Sequence, residues 1–212
     1  LGKFGPEQAA FYSVASMFSV LILAVAESIR HFGLFRVASA EGDVYTPVRK
    51  MTKYLSYASG FMALSLLLFG RQVIRLFFPD SYLGALTPLY IVTAATYLFA
   101  TQFGLTVHFL GTEKTGVAGT AAVVKNVAAV VLALPLVPRM GATGAALAFL
   151  GSVVAYTLAL HLAASSGGIR AGRSYILLSL VAGSLSLVIG KGLSLLLPTL
   201  LSLLLVPPVA LA

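Results

Sequence analysis

Residues 116–137, GVAGTAAVVKNVAAVVLALPLV, restrict this chain more than any other stretch. As an α-helix, such a run is about 33 Å long, enough to cross a bilayer core of about 30 Å. Near its middle stand Lys125 and Asn126, a cation and an amide where hydrocarbon is expected. A charge at that depth costs at least about 2.5–3.5 kcal/mol on insertion scales, so it faces protein or water rather than lipid tails. A helix of this kind needs something beside it.

Apolar segments of the same kind precede and follow. Spans are expected at about 9–29, 54–70, 85–111, 116–137, 144–164 and 174–190, with a seventh over 193–212 that Pro198, Pro207 and Pro208 interrupt. Composition supports this: 59% of the 212 residues are hydrophobic and 9% are charged, whereas soluble proteins carry about 25% charged residues. No alternation with period two is sustained, which argues against an outer-membrane barrel. The expected fold is an all-α membrane protein, a polytopic bundle of about six to seven transmembrane helices. The chain does not start with Met and ends on apolar residues, as a piece of a longer, transporter-sized protein would.

Polar residues inside the spans fall on helical stripes. In the first span Ser13, Ser16, Val20, Ala24 and Glu27 recur at steps of three or four and share one face. Arg30 and His31 follow Glu27 by three and four residues, which suits an ion pair at the helix end; a carboxylate facing a cavity for ion coupling is the other reading. Residues 30–53 read as the longest polar loop, with Arg30, Arg36, Arg49, Lys50 and Lys53 against Glu41 and Asp43. Residues 72–78 are apolar enough to extend the second span or to lie in the interface. In the third span Tyr90, Thr93, Tyr97, Thr101 and His108 share a face, a row of hydroxyls and rings suited to a sugar or to a helix interface. Pro135 and Pro138 are expected to end the fourth helix, since proline lacks the amide proton and clashes with the preceding turn. A turn over 139–141 follows, Thr143 is a candidate N-cap, and Gly144-Ala145-Ala146 would let helix backbones approach closely.

Lysines and arginines in alternate loops set orientation. The side holding Arg30, Arg36, Arg49, Lys50, Lys53, Lys114, Arg170 and Arg173 outweighs the side holding Lys3, Arg71, Arg75, Arg139 and Lys191, and is taken as cytoplasmic. The net charge of +8 follows from cations that flank spans and touch anionic lipid heads, and it also suits an anionic substrate. Scattered between hydrophobic spans, these cations form no nucleic-acid-binding face. The chain has no cysteine, which removes disulfides, thiolate metal sites and thiol nucleophiles. Asp43 and Asp80 are far apart, and no paired carboxylates, HExxH, GxSxG or phosphate-binding glycine loop is present. No enzymatic activity, cofactor or metal is expected. Lys125 can snorkel to the surface on its stem or line a water-filled cavity and meet a phosphate or carboxylate; Asn126 can bond a neighbouring helix, and Arg36 can guard an entrance.

From residue 87 to residue 158 the chain resembles the second half of polysaccharide-biosynthesis flippases of the multidrug/oligosaccharidyl-lipid/polysaccharide (MOP) exporter superfamily. The likeness rests on the lysine-bearing turn 111–114, Asn126 in the following span, and the proline-rich exit to Gly141-x-x-Gly144-Ala145-Ala146. Phe4-Gly5 through Tyr12-Ser13 and Pro79-Asp80-Ser81-Tyr82 add to it. The resemblance implies that residues 1–212 are the C-terminal transmembrane lobe of a two-lobe, fourteen-span transporter in the cell membrane. Such a lobe would work with the N-terminal lobe of the same chain to move a polyprenyl-linked oligosaccharide by alternating access. Lys125, Asn126, Tyr90, Tyr97, His108 and Arg36 would then meet substrate, and Glu27 would couple an ion. A cation-coupled multidrug exporter, a lipid II flippase and a non-transporting membrane partner of glycan-assembly enzymes stand as alternatives.

Overall fold

In the computed structural model, which describes residues 5–38 and 45–166, every regular element is helical. The elements are α1 (Pro6–Ala38), α2 (Tyr45–Phe77), a 3-10 turn (Asp80–Ala85), α3 (Leu86–Thr101), α4 (Phe103–Gly111) and α5 (Thr115–Ser166). Four stretches are long and apolar enough to cross a membrane: Pro6–Val37, Thr46–Phe77, Asp80–Gly111 and Thr115–Ser165. The spans expected over 174–190 and 193–212, and the loop before them, lie outside the described residues.

The helices run further than the polar residues suggested. Residues 30–53 are not one long loop: α1 continues to Ala38 and α2 begins at Tyr45. Lysine and arginine are good helix formers and do not stop a helix. The inner faces of this extension stay apolar, with Val37, Val48, Met51 and Leu55 buried together. Gly33 permits the approach, because a Cβ there would collide with the Met51 side chain. At the other ends, α1 begins at Pro6, earlier than the span expected from residue 9, and residues 72–77 extend α2.

α3 is the axis of the packing. Leu89, Val92, Thr93, Ala95, Thr96, Tyr97, Leu98 and Ala100 are all buried, and a helix apolar on every side belongs in the middle. α1 runs parallel to it, matching Phe11 to Leu89 and Ala26 to Ala100 and Phe103. α2 lies on another side, where Gly60 accepts the Tyr97 ring and Gly70 accepts Leu89 and Tyr90. The second limb of α5 closes a third side, with Val153 against Ala95 and Leu98. At Gln102 the third span breaks into α3 and α4. The Gln102 amide donates to Phe99 O at 3.1 Å, a tighter turn than the α-helix uses.

The fourth helix is not ended by its prolines. Pro135 and Pro138 lie inside α5, and the break comes at Gly141, with φ 57° and ψ −128°. That conformation belongs to the first central position of a type II′ turn, where glycine is the default. Membrane helices tolerate proline when neighbours satisfy the freed carbonyls. Thr143 is not the cap either. The amide exposed by the break, that of Ala142, donates to Gln8 Oε1 of α1 at 3.2 Å. The two limbs of α5, 115–140 and 142–166, pack closely there, since a Cβ on Gly144 would lie 2.2 Å from the Leu136 carbonyl oxygen.

Candidate functional site

Lys125 sits on the inward stripe of the first limb of α5, one turn beyond Ala121. Ala118 and Ala121 are small and buried, packed with Phe109, Tyr156 and Leu160, so the limb comes close enough for the lysine stem to reach α3. Its Nζ lies 4.4 Å from the centroid of the Phe99 ring. A cation on a ring face gains about 0.5–1 kcal/mol when exposed and about 2 kcal/mol or more when desolvated. Among the described residues no carboxylate pairs with Lys125. The side chain is half-buried, so the ammonium is neither sealed in nor free of the protein.

Phe99 is one member of an aromatic cluster. Its ring meets Phe103 at 5.2 Å and Tyr156 at 5.4 Å. Arg30 Cζ lies 5.5 Å from the Phe103 centroid, on α1, and the Tyr156 hydroxyl shares a 2.9 Å hydrogen bond with Thr106 Oγ1. Two cations from different helices therefore flank one run of rings, with a hydroxyl pair beside it. Arg30 Nε also donates to Glu27 Oε2 at 2.6 Å, and His31 Nδ1 stands 3.8 Å from the same oxygen. Glu27 is thus tied to Arg30 at the helix end.

The other sequence candidates lie elsewhere. Tyr97 is two residues from Phe99, which turns it to the opposite side of α3; there it packs with Ile22 and Ala63. Tyr90 lies on the same side, over Gly70. Their stripe is an interface with α2. His108 stacks edge-on against Phe109 at 5.8 Å, and Arg36 is exposed with its guanidinium 5.3 Å from the Phe32 centroid. Asn126 turns away from Lys125 to the outer face of its helix, level with exposed Val123 and Val130. Phe99 and Phe103 were visible in the sequence as an i, i+4 aromatic pair, but Arg30 was assigned only to Glu27.

Three further polar side chains are buried without partners: Thr93, Thr96 and His161, the last with both ring nitrogens unbonded. A buried unsatisfied polar group costs about 1–3 kcal/mol. Most other hydroxyls in these helices return to their own backbone, as Ser19 does to Ala15 O and Thr157 to Val153 O. No protein-family model, no curated protein and no solved structure matches this chain.

Proposed function

We propose that this chain is one lobe of a two-lobe membrane transporter that moves a lipid-linked oligosaccharide across the cell membrane by alternating access, as its resemblance to the MOP flippases implies. The observation carrying this reading is the first limb of α5. Its outer surface is apolar and is covered by no other described helix, with Val130 61% and Leu134 71% exposed. Yet the same limb holds Asn126 on that surface and, at its edge, an ammonium that lies over a ring face and pairs with no carboxylate among the described residues. Lipid tails are a poor environment for both groups. A second lobe enclosing an aqueous cavity accounts for the apolar surface and the polar groups together.

In this reading Lys125 offers charge-assisted hydrogen bonds to the phosphates of the substrate, and the Phe99, Phe103 and Tyr156 rings give an apolar wall beside them. Arg30, held by Glu27, stands toward the end where α1 and α2 carry most of their cations. An anion entering from that end passes Arg30 before Lys125. A cation-coupled drug exporter fits less well, because among the described residues the carboxylate tied to this cluster, Glu27, is occupied by Arg30.

The test is translocation of a fluorescent polyprenyl-pyrophosphate sugar by the full-length protein in liposomes. Lys125→Ala is expected to lower the rate about tenfold or more and Lys125→Arg to retain most of it. One bond between a charged donor and phosphate contributes about 1.5–3 kcal/mol. Equal transport by wild type and Lys125→Ala would remove the residue from the mechanism.

A further inference from the structure

The extended ends of α1 and α2 carry a second arrangement of cations and rings, distinct from the Lys125 cluster. Each helix has 33 residues, or about 50 Å, some 20 Å more than a bilayer core. At this end the buried side of the pair is apolar, formed by Val37, Val48, Met51 and Leu55. The outward side holds Arg36, Arg49, Lys50 and Lys53, all exposed. Between them stand bare aromatic side chains, with Phe35 70% and Tyr57 65% exposed. Among the described residues no acid pairs with any of these four cations: Glu27 is bound to Arg30, and Glu113 lies on the turn beside Lys114.

The pairing of ring and cation repeats on both helices. Arg36 caps Phe32 at 5.3 Å and Lys53 caps Tyr57 at 5.7 Å. α1 leaves the apolar body and α2 returns to it, so in both cases the ring lies one turn nearer that body than its cation. This is the order of a bilayer surface, where rings settle at the headgroup boundary and cations reach the phosphates beyond. A surface made only for water has no use for the rings, and an interface buried in protein would want acids opposite the cations.

We infer that the outward side of this α1–α2 end binds the phosphates of anionic phospholipids in the adjoining leaflet. The inference needs the helices to cross a bilayer but does not need the chain to transport anything. Each Lys or Arg near an anionic surface contributes about 1 kcal/mol, or about fivefold in affinity. The four exposed cations are therefore expected to act together, and their effect is expected to fade with salt.

The experiment takes the full-length protein from bilayers holding equal phosphatidylglycerol and phosphatidylcholine and counts co-purifying lipids by native mass spectrometry. Wild type is expected to retain phosphatidylglycerol at least about fivefold over phosphatidylcholine, and 0.5 M salt during extraction is expected to erase most of that preference. A variant carrying Arg36→Gln, Arg49→Gln, Lys50→Gln and Lys53→Gln is expected to approach a ratio of about one while keeping its helical circular dichroism. Lys125→Ala is expected to retain the wild-type ratio. No preference in wild type, or an unchanged preference in the fourfold variant, would overturn the inference. Loss of preference in Lys125→Ala would overturn it too by moving the lipid to that cluster. Soluble glycerol phosphate competing as well as intact lipid would point to a small-anion site instead. Should the fourfold variant misfold, the salt dependence of wild type decides alone.

Discussion

Gly144 offers the sharpest check on how the two limbs of α5 meet. A Cβ at this position would lie 2.2 Å from the Leu136 oxygen, 2.6 Å from its carbonyl carbon and 3.1 Å from the Val137 nitrogen. All three atoms are backbone, so no change of rotamer relieves the overlap and the limbs must move apart. Overpacking of this kind costs about 1–3 kcal/mol, and replacing a helical glycine by alanine returns about 1 kcal/mol. Gly144→Ala is expected to lose about 1 kcal/mol net, a fall of about 2–4 °C in the unfolding midpoint. Two controls calibrate it. At Gly151 the added atom would meet Leu132 Cδ1 at 2.4 Å and nothing else closer than 3.8 Å; a leucine methyl can swing away, so the expected change is close to zero. At Gly119 nothing lies within 4 Å, and the substitution is expected to raise the midpoint by about 2–4 °C. The assay is thermal unfolding in detergent, followed by circular dichroism because the chain has no tryptophan. A midpoint for Gly144→Ala at or above that of Gly119→Ala would refute the close approach.

Gln8→Ala removes the acceptor of the Ala142 amide; a loss of about 1 kcal/mol and a midpoint about 2–4 °C lower are expected in the same unfolding assay. Glu27→Gln breaks a pair whose side chains are 40% and 25% exposed. At that exposure it is expected to cost no more than about 1 kcal/mol, with the difference from wild type shrinking in high salt. Tyr156→Phe deletes the hydroxyl bonded to Thr106, but Thr106 Oγ1 keeps its 3.0 Å bond to Gln102 O. The expected loss is about 0.6 kcal/mol, the average for such bonds between membrane helices, and a fall above about 4 °C would mean the hydroxyl does more than bond Thr106.

Length and apolarity made the helices legible, because a run such as residues 116–137 has few other ways to satisfy its backbone. Helix ends were not legible from charge. Arg30, Arg36, Arg49, Lys50 and Lys53 suggested a loop, but a helix ends where its hydrogen bonds and packing end, and buried Val37, Val48 and Met51 carry both helices past the cations. Pro135 and Pro138 misled for a related reason. Proline removes one donor, whereas the φ of Gly141 reverses the chain, and the amide that the reversal exposes is met by Gln8, far away in the sequence. The site was half legible. Lys125 stood out as a cation among valines and alanines, but its ring, Phe99, lies 26 residues earlier on another helix, and only packing selects it over Tyr97.

Lys125 and Asn126 look like one polar interruption in the sequence, but successive helical residues diverge by about 100°. The lysine reaches inward to Phe99, whereas the asparagine faces out among valines. The ammonium therefore lies at the edge of the aromatic cluster, and the amide lies wholly on the outer, exposed side of the limb. This separates their roles in the proposed transporter. Loss of the Asn126 amide alters how a covering lobe meets this one, while the lysine and its ring stay as they are. Loss of the Lys125 ammonium leaves the outer surface unchanged and empties the charge from that edge. In that proposal a covering lobe that slid along the limb would exchange its contacts with Asn126, while Lys125 would keep its place over Phe99. In the proposed transporter, a cation held to one wall would stay with the substrate's anion while the opposite wall moves.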